Sequence, residues 1–336
     1  MTAGDPLRIG ILGAGRIAEA AIVVPARESG ARLVAVAARD RDRAEAFAGA
    51  HGVERAYDDY AALLDDPEVE VVYNPLVNAL HAPWNLRAVA AGKHVLSEKP
   101  FASNAAEAAE VRDAAGGTGL VVMEAFHYLF HPVMQRLLAL LDDGTLGDLE
   151  RVEAVVNIPA PPAEDPRWSL SLAGGALMDL GCYGLHAHRV LSSRAGGEPR
   201  VVSARAGERA GQPGVDEWLD ADLEFPSGVT GSARCHMAAE TQQMTLELTG
   251  SRGRAVAASF VLPHEDDRVL VEVDGRTSVE EVGRRSSYTY QLEAFTAAVR
   301  QGAPLPLDPE DAVRTMQLVD AAYLAAGMEP RPRWAG

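Results

Sequence analysis

The sequence predicts an α/β protein of two domains: a doubly wound parallel α/β domain, followed by an α/β domain built on an antiparallel sheet. The 336 residues exceed what one small core usually contains. The first third alternates short apolar runs with amphipathic segments, as parallel sheets covered by helices do. Later, several strand-like runs follow one another with no long helix between them. Because the pattern changes near Ala125, we expect domains at residues 1–125 and 126–336.

The first domain is predicted to contain five parallel strands and four helices. The strands are apolar throughout, which indicates a sheet buried on both faces, and they are Leu7–Leu12, Arg32–Ala37, Val69–Tyr73, His94–Leu96 and Leu120–Met123. Amphipathic segments between them predict helices over Ile17–Arg27, Arg41–Ala50, Pro83–Ala91 and Ala105–Ala115.

The second domain is predicted to begin with a helix over His131–Leu141 and a strand over Asp148–Ile158. A proline-rich loop and a helix over Ala176–Leu191 follow. Between residues 201 and 282, alternating apolar and polar residues predict several strands, and the lack of helical patterns between them favours antiparallel pairing. The chain is predicted to end in two helices, Tyr290–Arg300 and Pro309–Ala326.

Composition limits the classes of partner. Lys and Arg total 31 and Asp and Glu total 48, which gives a net charge of −17. Such a surface does not attract nucleic acid or an anionic membrane, so we expect neither as a partner. Cys182 and Cys235 lie far apart in sequence and fit a reducing compartment. No signal-peptide pattern and no run of about 20 apolar residues is found, so we expect a cytoplasmic protein.

A glycine-rich loop follows the first predicted strand. The motif Gly13-x-Gly15-x-x-Ala18 stands between that strand and a helix, as in a Rossmann dinucleotide-binding domain. Gly13 allows a tight turn, Gly15 lets the backbone approach a pyrophosphate, and the small Ala18 permits close packing of helix and strand. The helix N-terminus offers unpaired N–H groups to the phosphates. A tight turn that binds nothing is the weaker interpretation in this context.

The end of the second predicted strand bears on the choice between NAD and NADP. A domain that recognises the ribose 2′-hydroxyl carries an acidic residue there. Here Ala38 and then Arg39 follow the strand, and a guanidinium without the carboxylate favours a 2′-phosphate, hence NADP. Asp40 and Asp42 lie close by and leave NAD possible.

Two charged residues come just after the predicted strand at His94–Leu96. In doubly wound sheets ligands bind outside the carboxyl ends of the strands, so Glu98 and Lys99 are expected to face the cofactor cleft. A lysine there can donate to a substrate hydroxyl or carbonyl oxygen. Partial burial and a neighbouring cationic cofactor would both favour the neutral amine, so we expect its pKa to be lowered. The Lys99–Pro100 peptide fixes the local turn and has access to the cis form.

Several stretches together resemble the glucose–fructose oxidoreductase / inositol dehydrogenase (Gfo/Idh/MocA) family. They are "SEKP" at Ser97–Pro100, "MEAFHYLFHP" at Met123–Pro132 and "GGALMDLGCYGLH" at Gly174–His186. The resemblance covers nearly the whole chain in the right order, and it is greatest to the branch of D-xylose dehydrogenases and dimeric dihydrodiol dehydrogenases. It implies a Rossmann domain followed by an α/β domain with an open, mostly antiparallel sheet. That sheet often serves as an oligomer interface, so a homodimer or homotetramer is expected.

The resemblance also implies an active site and an activity. Lys99 and Tyr183 are implied to carry out the proton chemistry, and Asp179 precedes Tyr183 by four residues, on one face of a helix. The activity implied is hydride transfer between nicotinamide and the hydroxyl or carbonyl group of a sugar or sugar derivative. Expected cofactor contacts are Gly13, Gly15, Arg16, Ile17, Arg39, Asn78, His81, Glu98 and Lys99.

Substrate contacts are expected from Arg167, Trp168 and His186. An aromatic ring packs well against the C–H face of a sugar, but Trp168 is equally well explained as an anchor for its loop. Leu129 stands where the family often has an arginine, which makes a non-sugar carbonyl or a trans-dihydrodiol the second candidate substrate.

Two other interpretations are weaker. A non-catalytic NAD(P)-binding regulator has no need of Lys99, Asp179 and Tyr183 together. His127 and His131 have metal-ligand spacing, but a proline follows at once and no third ligand is evident, so no metal is expected.

Overall fold

The computed structural model describes residues 4–335, which divide into two compact units. The first unit contains the chain up to Phe126 together with Tyr288–Arg314. The second contains His127–Ser287 and the chain from Thr315 onward. The single boundary expected near Ala125 therefore does not describe where residues 288–314 lie, because this segment packs with the first unit.

The core of the first unit is a six-stranded sheet made of β1 (Arg8–Leu12), β2 (Arg32–Ala37), β3 (Arg55–Tyr57), β4 (Val71–Asn74), β5 (His94–Ser97) and β6 (Val122–Glu124). Its order is β3-β2-β1-β4-β5-β6, and every neighbouring pair is parallel. This is the order of a Rossmann sheet, so the carboxyl ends of β1, β4 and β5 lie side by side at one edge.

Helices follow the strands in the first unit. The first helix runs without a break from Arg16 to Ser29, as α1 (Arg16–Ala18), a π-helical segment (Glu19–Val23) and α2 (Val24–Ser29). The others up to residue 126 are α3 (Arg41–His51), α4 (Tyr60–Asp65), a 3₁₀ turn (Asn78–Leu80), α5 (His81–Ala90) and α6 (Ala105–Ala115).

The second unit is built on an eight-stranded sheet made of β7 (Leu149–Asn157), β8 (Arg200–Glu208), β9 (Asp216–Glu224), β10 (Thr230–His236), β11 (Gln243–Gly250), β12 (Gly253–Ala257), β13 (Arg268–Val273) and β14 (Arg276–Glu281). The order is β14-β13-β12-β11-β7-β10-β9-β8. All pairs are antiparallel except β7 with β10. The expected mostly antiparallel sheet is confirmed.

Two helices contact this sheet, α7 (Pro132–Asp142) and α8 (Cys182–Val190), and a π-helical segment (Leu177–Gly181) leads into α8. Along β11, Leu246 and Leu248 are fully buried, whereas Thr245 and Glu247 between them are half-buried. This alternation is typical of a sheet with one face on the core and one face open. The remaining elements are 3₁₀ turns at His127–Phe130, Pro166–Trp168, Leu170–Leu172 and Ser192–Arg194, then α9 (Ser287–Gln301) and α10 (Pro309–Ala325).

The predicted fold class is confirmed, and the elements that sequence patterns missed are short or exposed. β3 has three half-buried residues and α4 has six residues, too few for a periodic pattern to appear. β8 and β14 are edge strands whose residues are mostly exposed, so their apolar alternation is weak. Within residues 4–335, no helix is both long and apolar enough to cross a membrane.

Candidate active site

The glycine turn after β1 leaves a helix N-terminus open. Gly13 has a φ of +93°, a region that residues with a side chain rarely adopt, and its N–H donates to the Ala37 carbonyl at 2.7 Å. Gly15 precedes α1, and no side chain caps this helix start. A Cβ added at Gly15 would meet only the Pro75 carbonyl oxygen, at 3.9 Å. The space beside this helix N-terminus fits a dinucleotide pyrophosphate.

Two residues of the first helical turn are exposed beside the glycine turn. Arg16 adds positive charge there, and the apolar side chain of Ile17 is 40% exposed. An exposed isoleucine next to an open helix N-terminus provides an apolar surface for a ligand ring.

The acidic residue nearest the carboxyl end of β2, Asp40, is engaged in capping a helix. The Asp40 side chain accepts from the Arg43 N–H at 3.0 Å and caps α3. Arg41 pairs with Glu45 at 2.8 Å, whereas Arg43 donates to the Ala14 carbonyl at 3.3 Å, in the glycine turn. Arg39 is exposed at this end of the strand. The arrangement fits a ribose 2′-phosphate better than a 2′-hydroxyl.

Glu98 and Lys99 lie where β5 ends, as the sequence predicted. The Glu98 side chain is buried and accepts from the Tyr73 hydroxyl at 2.8 Å, which fixes the carboxylate against β4. Lys99 is only half-buried, and the Lys99–Pro100 peptide is cis. Asn78 lies in the 3₁₀ turn that follows β4 and is also half-buried.

A buried polar network stands behind these residues. Asn74, at the end of β4, donates to the Asn85 side chain at 2.8 Å and to the His81 carbonyl at 3.1 Å. Asn85 donates in turn to the Ser97 hydroxyl at 2.9 Å. An aliphatic residue at position 74 would leave Asn85 without this partner, which explains why an asparagine stands there.

His81 joins two loops from within this network. Its Nδ1 lies 2.7 Å from the Pro100 carbonyl and its Nε2 lies 2.8 Å from the Leu76 carbonyl. Complete burial lowers the pKa of His81 to about 4, although both carbonyls favour the protonated ring. The ring is 1% exposed and holds the Pro100 turn, so a ligand contact from its side chain, expected from the sequence, has little surface to use.

Asp179 and Tyr183 lie on either side of a change in helix type. Asp179 is in the π-helical segment and Tyr183 is in the first turn of α8. Gly175, with a φ of +130°, and Gly174 precede the segment. π-helical turns within helices occur often at functional sites. The prediction that the two residues share one face of a regular α-helix is therefore wrong.

His127 and Tyr128 both pack on the Tyr183 ring. The Tyr183 hydroxyl lies 3.3 Å from Nε2 of His127, and the two rings pack edge to face. Tyr128 also packs edge to face on Tyr183, and its hydroxyl is 2.6 Å from Nδ1 of His186. His186 is 1% exposed, so it supports Tyr128 from behind. These contacts were missed, because residues 127 and 183 are 56 positions apart and no local pattern links them.

Asp179 is held by an arginine. The Arg167 Nη1 donates to Asp179 at 3.3 Å, and its Nε and Nη2 donate to Asp165 at 2.9 and 3.1 Å. The hydrogen bond to Asp165 raises the pKa of Arg167 well above its usual value, and the charge of Asp179 adds to this. Arg167 and Asp179 thus form one polar pair before α8.

Trp168 is buried next to this pair. It is 2% exposed, its Nε1 donates to the Pro161 carbonyl at 3.4 Å, and the Arg209 guanidinium lies 4.5 Å above its ring. These contacts favour the loop-anchor interpretation of Trp168.

The C-terminal segment holds the start of the π-helical segment. Arg331 is 2% exposed; it donates to the Gly174 carbonyl at 2.7 Å, pairs with Asp216 and lies over the Tyr323 ring at 4.1 Å. Asp216 also accepts from the Leu177 N–H at 2.6 Å. Burial raises the pKa of Asp216 against the effect of the Arg331 charge. Nothing in the sequence had marked Asp216 or Arg331.

His131, considered as a metal ligand, caps α7 by accepting from the Val133 N–H at 3.1 Å. In residues 4–335, no group of three or more His, Cys, Asp or Glu side chains is arranged to hold a metal ion.

Family models match both parts of the chain. Residues 7–126 match the model described as the oxidoreductase family with an NAD-binding Rossmann fold, and residues 134–256 match the GFO/IDH/MocA C-terminal domain. The chain belongs to the Gfo/Idh/MocA oxidoreductase family. It is an NAD(P)-dependent dehydrogenase or reductase, so the family, the enzyme class and the nicotinamide cofactor expected from the sequence are confirmed.

Relatives within this family include sugar and dihydrodiol enzymes. The D-xylose 1-dehydrogenase (NADP(+)) 2 of Haloferax volcanii is 35% identical over 322 residues, 95% of this chain and 97% of the relative. The trans-1,2-dihydrobenzene-1,2-diol dehydrogenase of Sus scrofa is 39% identical over 257 residues, 74% of this chain and 73% of the relative. These two similarities confirm the predicted branch.

A solved structure of the family has the same fold. The 3-ketoreductase from Actinomadura kijaniata, in complex with NADP and TDP-benzene, aligns with a TM-score of 0.88 at 30% identity. The alignment covers 96% of this chain and 98% of the ketoreductase.

Proposed function

We propose that this member of the family is an NADP(H)-dependent oxidoreductase that acts on a CH–OH or carbonyl group of a sugar or sugar derivative. The observation that carries the proposal lies in the first unit. The glycine turn follows β1 and Lys99 follows β5, two strands away at the same edge of the parallel sheet. A dinucleotide whose pyrophosphate sits at Gly15 extends along this edge towards Lys99.

NADP rather than NAD is supported by the charges after β2. Arg39 and Arg43 both place positive charge near the Tyr60 hydroxyl, where burial raises the tyrosine pKa and the two guanidinium groups oppose that rise. Asp40 is engaged as a helix cap. The xylose dehydrogenase is named as NADP-dependent, and the ketoreductase structure contains bound NADP.

We propose that Lys99 and Tyr183 handle the proton of the substrate hydroxyl. When bound, the nicotinamide exchanges a hydride with the substrate carbon. Lys99 donates to the substrate oxygen and stabilises negative charge on it, and Tyr183 takes up or returns the hydroxyl proton. Asp179, held by Arg167, orients a neighbouring hydroxyl group of the substrate. Glu98, held by Tyr73, and Asn78 position the nicotinamide ribose.

A trans-dihydrodiol or other non-sugar carbonyl is the second candidate substrate. Leu129 is 6% exposed and supplies no charge where the family often has an arginine. The relative from Sus scrofa is named as a dehydrogenase of such a diol. Arg167 and Asp179 still provide a polar pair for hydroxyl groups, which favours the sugar.

Turnover with a panel of aldoses, inositols and trans-dihydrodiols, each with NADP⁺ or NAD⁺, tests the proposal. Lys99→Ala and Tyr183→Phe should each lower kcat by about 100-fold or more. Full activity in either variant would contradict its assigned role.

Chemical labelling of lysine offers a direct check on Lys99. Lys93 and Lys99 are the only lysines, and Lys93 donates to two backbone carbonyls, so an amine reagent should label Lys99. NADP should protect Lys99 from labelling.

The cofactor preference is tested by Arg39→Ala beside Arg41→Ala. Arg41 is at the same end of the sheet but already pairs with Glu45. We expect Arg39→Ala to weaken NADP binding by about 10-fold or more and to leave NAD binding within about 2-fold. Equal effects of the two variants on NADP would contradict the assignment of Arg39.

We further propose that the open face of the eight-stranded sheet forms a homodimer or homotetramer interface. Half-buried side chains such as Val155, Thr245 and Glu247 lie along its central strands. Light scattering during size-exclusion chromatography tests this, and a monomer at all protein concentrations would overturn it.

A further inference from the structure

We propose that His127, Ser287 and His264 form a proton relay that connects the Tyr183 hydroxyl to the solvent. The inference rests on the proposed function, in which Tyr183 exchanges a proton with the substrate. It assigns roles to three residues that the reaction itself does not require to touch substrate.

The relay consists of three consecutive hydrogen bonds within the second unit. The Tyr183 hydroxyl lies 3.3 Å from Nε2 of His127, and Nδ1 of the same ring lies 2.8 Å from the Ser287 hydroxyl. The Ser287 hydroxyl lies 3.4 Å from Nδ1 of His264. The two outer bonds are long, as catalytic hydrogen bonds often are before substrate binds.

The relay runs from the buried Tyr183 to the half-buried His264. Tyr183 is 5% exposed, and His127 and Ser287 are fully buried. His264 is half-buried, so among these four residues it is the most open to solvent. A proton released by the substrate beside Tyr183 therefore has a bonded path through an otherwise closed interior.

Donors and acceptors alternate correctly along the path. When Tyr183 gives its proton to Nε2 of His127, the Nδ1 proton passes to the Ser287 oxygen and the Ser287 proton passes to Nδ1 of His264. His264 then loses its Nε2 proton to water. One proton moves from Tyr183 to solvent, no electrons move along the relay, and Tyr183 is left as the phenolate that accepts the substrate proton.

His264 is suited to release the proton. Partial burial lowers its pKa, and the charge of Glu265 opposes this only in part. An imidazolium formed there is therefore acidic enough to return to the neutral form at neutral pH.

The first test needs no substrate. In protein labelled with ¹⁵N-histidine, NMR should show His127 as the Nδ1–H tautomer, with Nε2 accepting from Tyr183. Tyr183→Phe should shift the Nε2 resonance, and His127→Phe assigns it. A neutral Nε2–H tautomer of His127 in wild-type protein that shows no tyrosinate absorbance, so that the Tyr183 hydroxyl is still protonated, would overturn the relay, whatever the substrate turns out to be.

The second test uses turnover. Ser287→Ala leaves His127 and Tyr183 in place but interrupts the path, so kcat for alcohol oxidation should fall about 10-fold or more with KM changed less than 2-fold. Ser287→Thr keeps the hydroxyl and should restore the rate, and added imidazole should rescue His127→Ala. Ser232→Ala, another buried serine of this unit, is the matched control.

The two proposals fail differently. If Lys99→Ala and Tyr183→Phe abolish turnover while Ser287→Ala has the wild-type rate and solvent isotope effect, the relay is wrong and the proposed function stands. If Tyr183→Phe keeps full activity, the proton role of Tyr183 is wrong and the relay falls with it.

Discussion

Arg300 and Glu70 form a bidentate ion pair in which each side chain is 4% exposed. The two guanidinium nitrogens lie 2.5 and 2.6 Å from the two carboxylate oxygens. Arg300 is on α9 and Glu70 directly precedes β4. The pair attaches α9 to the parallel sheet, which explains why residues 288–314 belong to the first unit although they follow the strands of the second.

Replacing Arg300 by methionine should lower the free energy of unfolding by about 3–5 kcal/mol, because it removes the bidentate partner of a buried carboxylate, and the Arg8 guanidinium, 3.9 Å away, is too distant to replace both hydrogen bonds. Denaturant unfolding measures this. Arg314→Met is the matched control, since Arg314 forms an exposed pair with Glu310 and its loss should cost less than about 1 kcal/mol. Similar losses of unfolding free energy in the two variants would show that the buried pair stabilises the fold no more than the exposed pair does.

The same pair should make stability depend on pH. Burial raises the pKa of Glu70, but the hydrogen bond and charge of Arg300 outweigh it, so the pKa is lowered overall. The stabilisation is therefore present above the carboxyl's unfolded pKa and is lost as pH falls through the folded value. The stability difference between wild type and Arg300→Met should shrink in acid.

Gly15→Ala should abolish tight cofactor binding without unfolding the protein. The backbone there has a φ of −88°, which alanine adopts freely, and the added Cβ would meet only the Pro75 carbonyl oxygen at 3.9 Å. The methyl group would occupy the space for the pyrophosphate. Calorimetric titration with NADP should show at least about 10-fold weaker binding. Gly49→Ala, an open position in α3, is the control and should bind normally.

Titration of His81 should lower the free energy of unfolding as the pH falls from 6.5 to 4. Its folded pKa of about 4 lies below the ordinary value of 6.5, so the unfolded state binds more protons in this range and stability falls as pH falls. At pH 5 this effect lowers the free energy of unfolding by about 2 kcal/mol relative to neutral pH. Unfolding at pH 7 and pH 5 should show a larger loss for wild type than for His81→Gln. Equal losses would mean that the ring is already protonated in the folded state.

Arg331→Met should disturb the start of the proposed catalytic helix. The variant removes the donor to the Gly174 carbonyl and leaves Asp216 buried without its positive charge, so we expect a loss of about 3–5 kcal/mol. Adding Asp216→Asn removes the unpaired charge and should restore part of that stability. If kcat recovers with stability in the double variant, Arg331 acts only through folding; if kcat stays low, it positions Tyr183.

Local patterns in the sequence determined much of the first unit. The run of apolar strands, the Gly13–Gly15 turn and the charged residues after β5 are each encoded within a few neighbouring positions, because backbone periodicity and turn chemistry are local properties. Parallel strands place their carboxyl ends together, so the position of Lys99 at the ligand edge followed from the pattern alone. The confirmed family and enzyme class rest on these motifs.

The tertiary structure decided what each side chain of the site touches. His127 reaches Tyr183 from 56 residues away and Ser287 from 160, and neither pairing leaves a periodic or motif signal. His81 and His186 were expected to contact ligands, but both are buried and hold neighbouring groups in place. Arg331 and Asp216, which are 115 positions apart, form a buried ion pair. Such pairings depend on packing between distant segments, which the order of residues along the chain does not reveal.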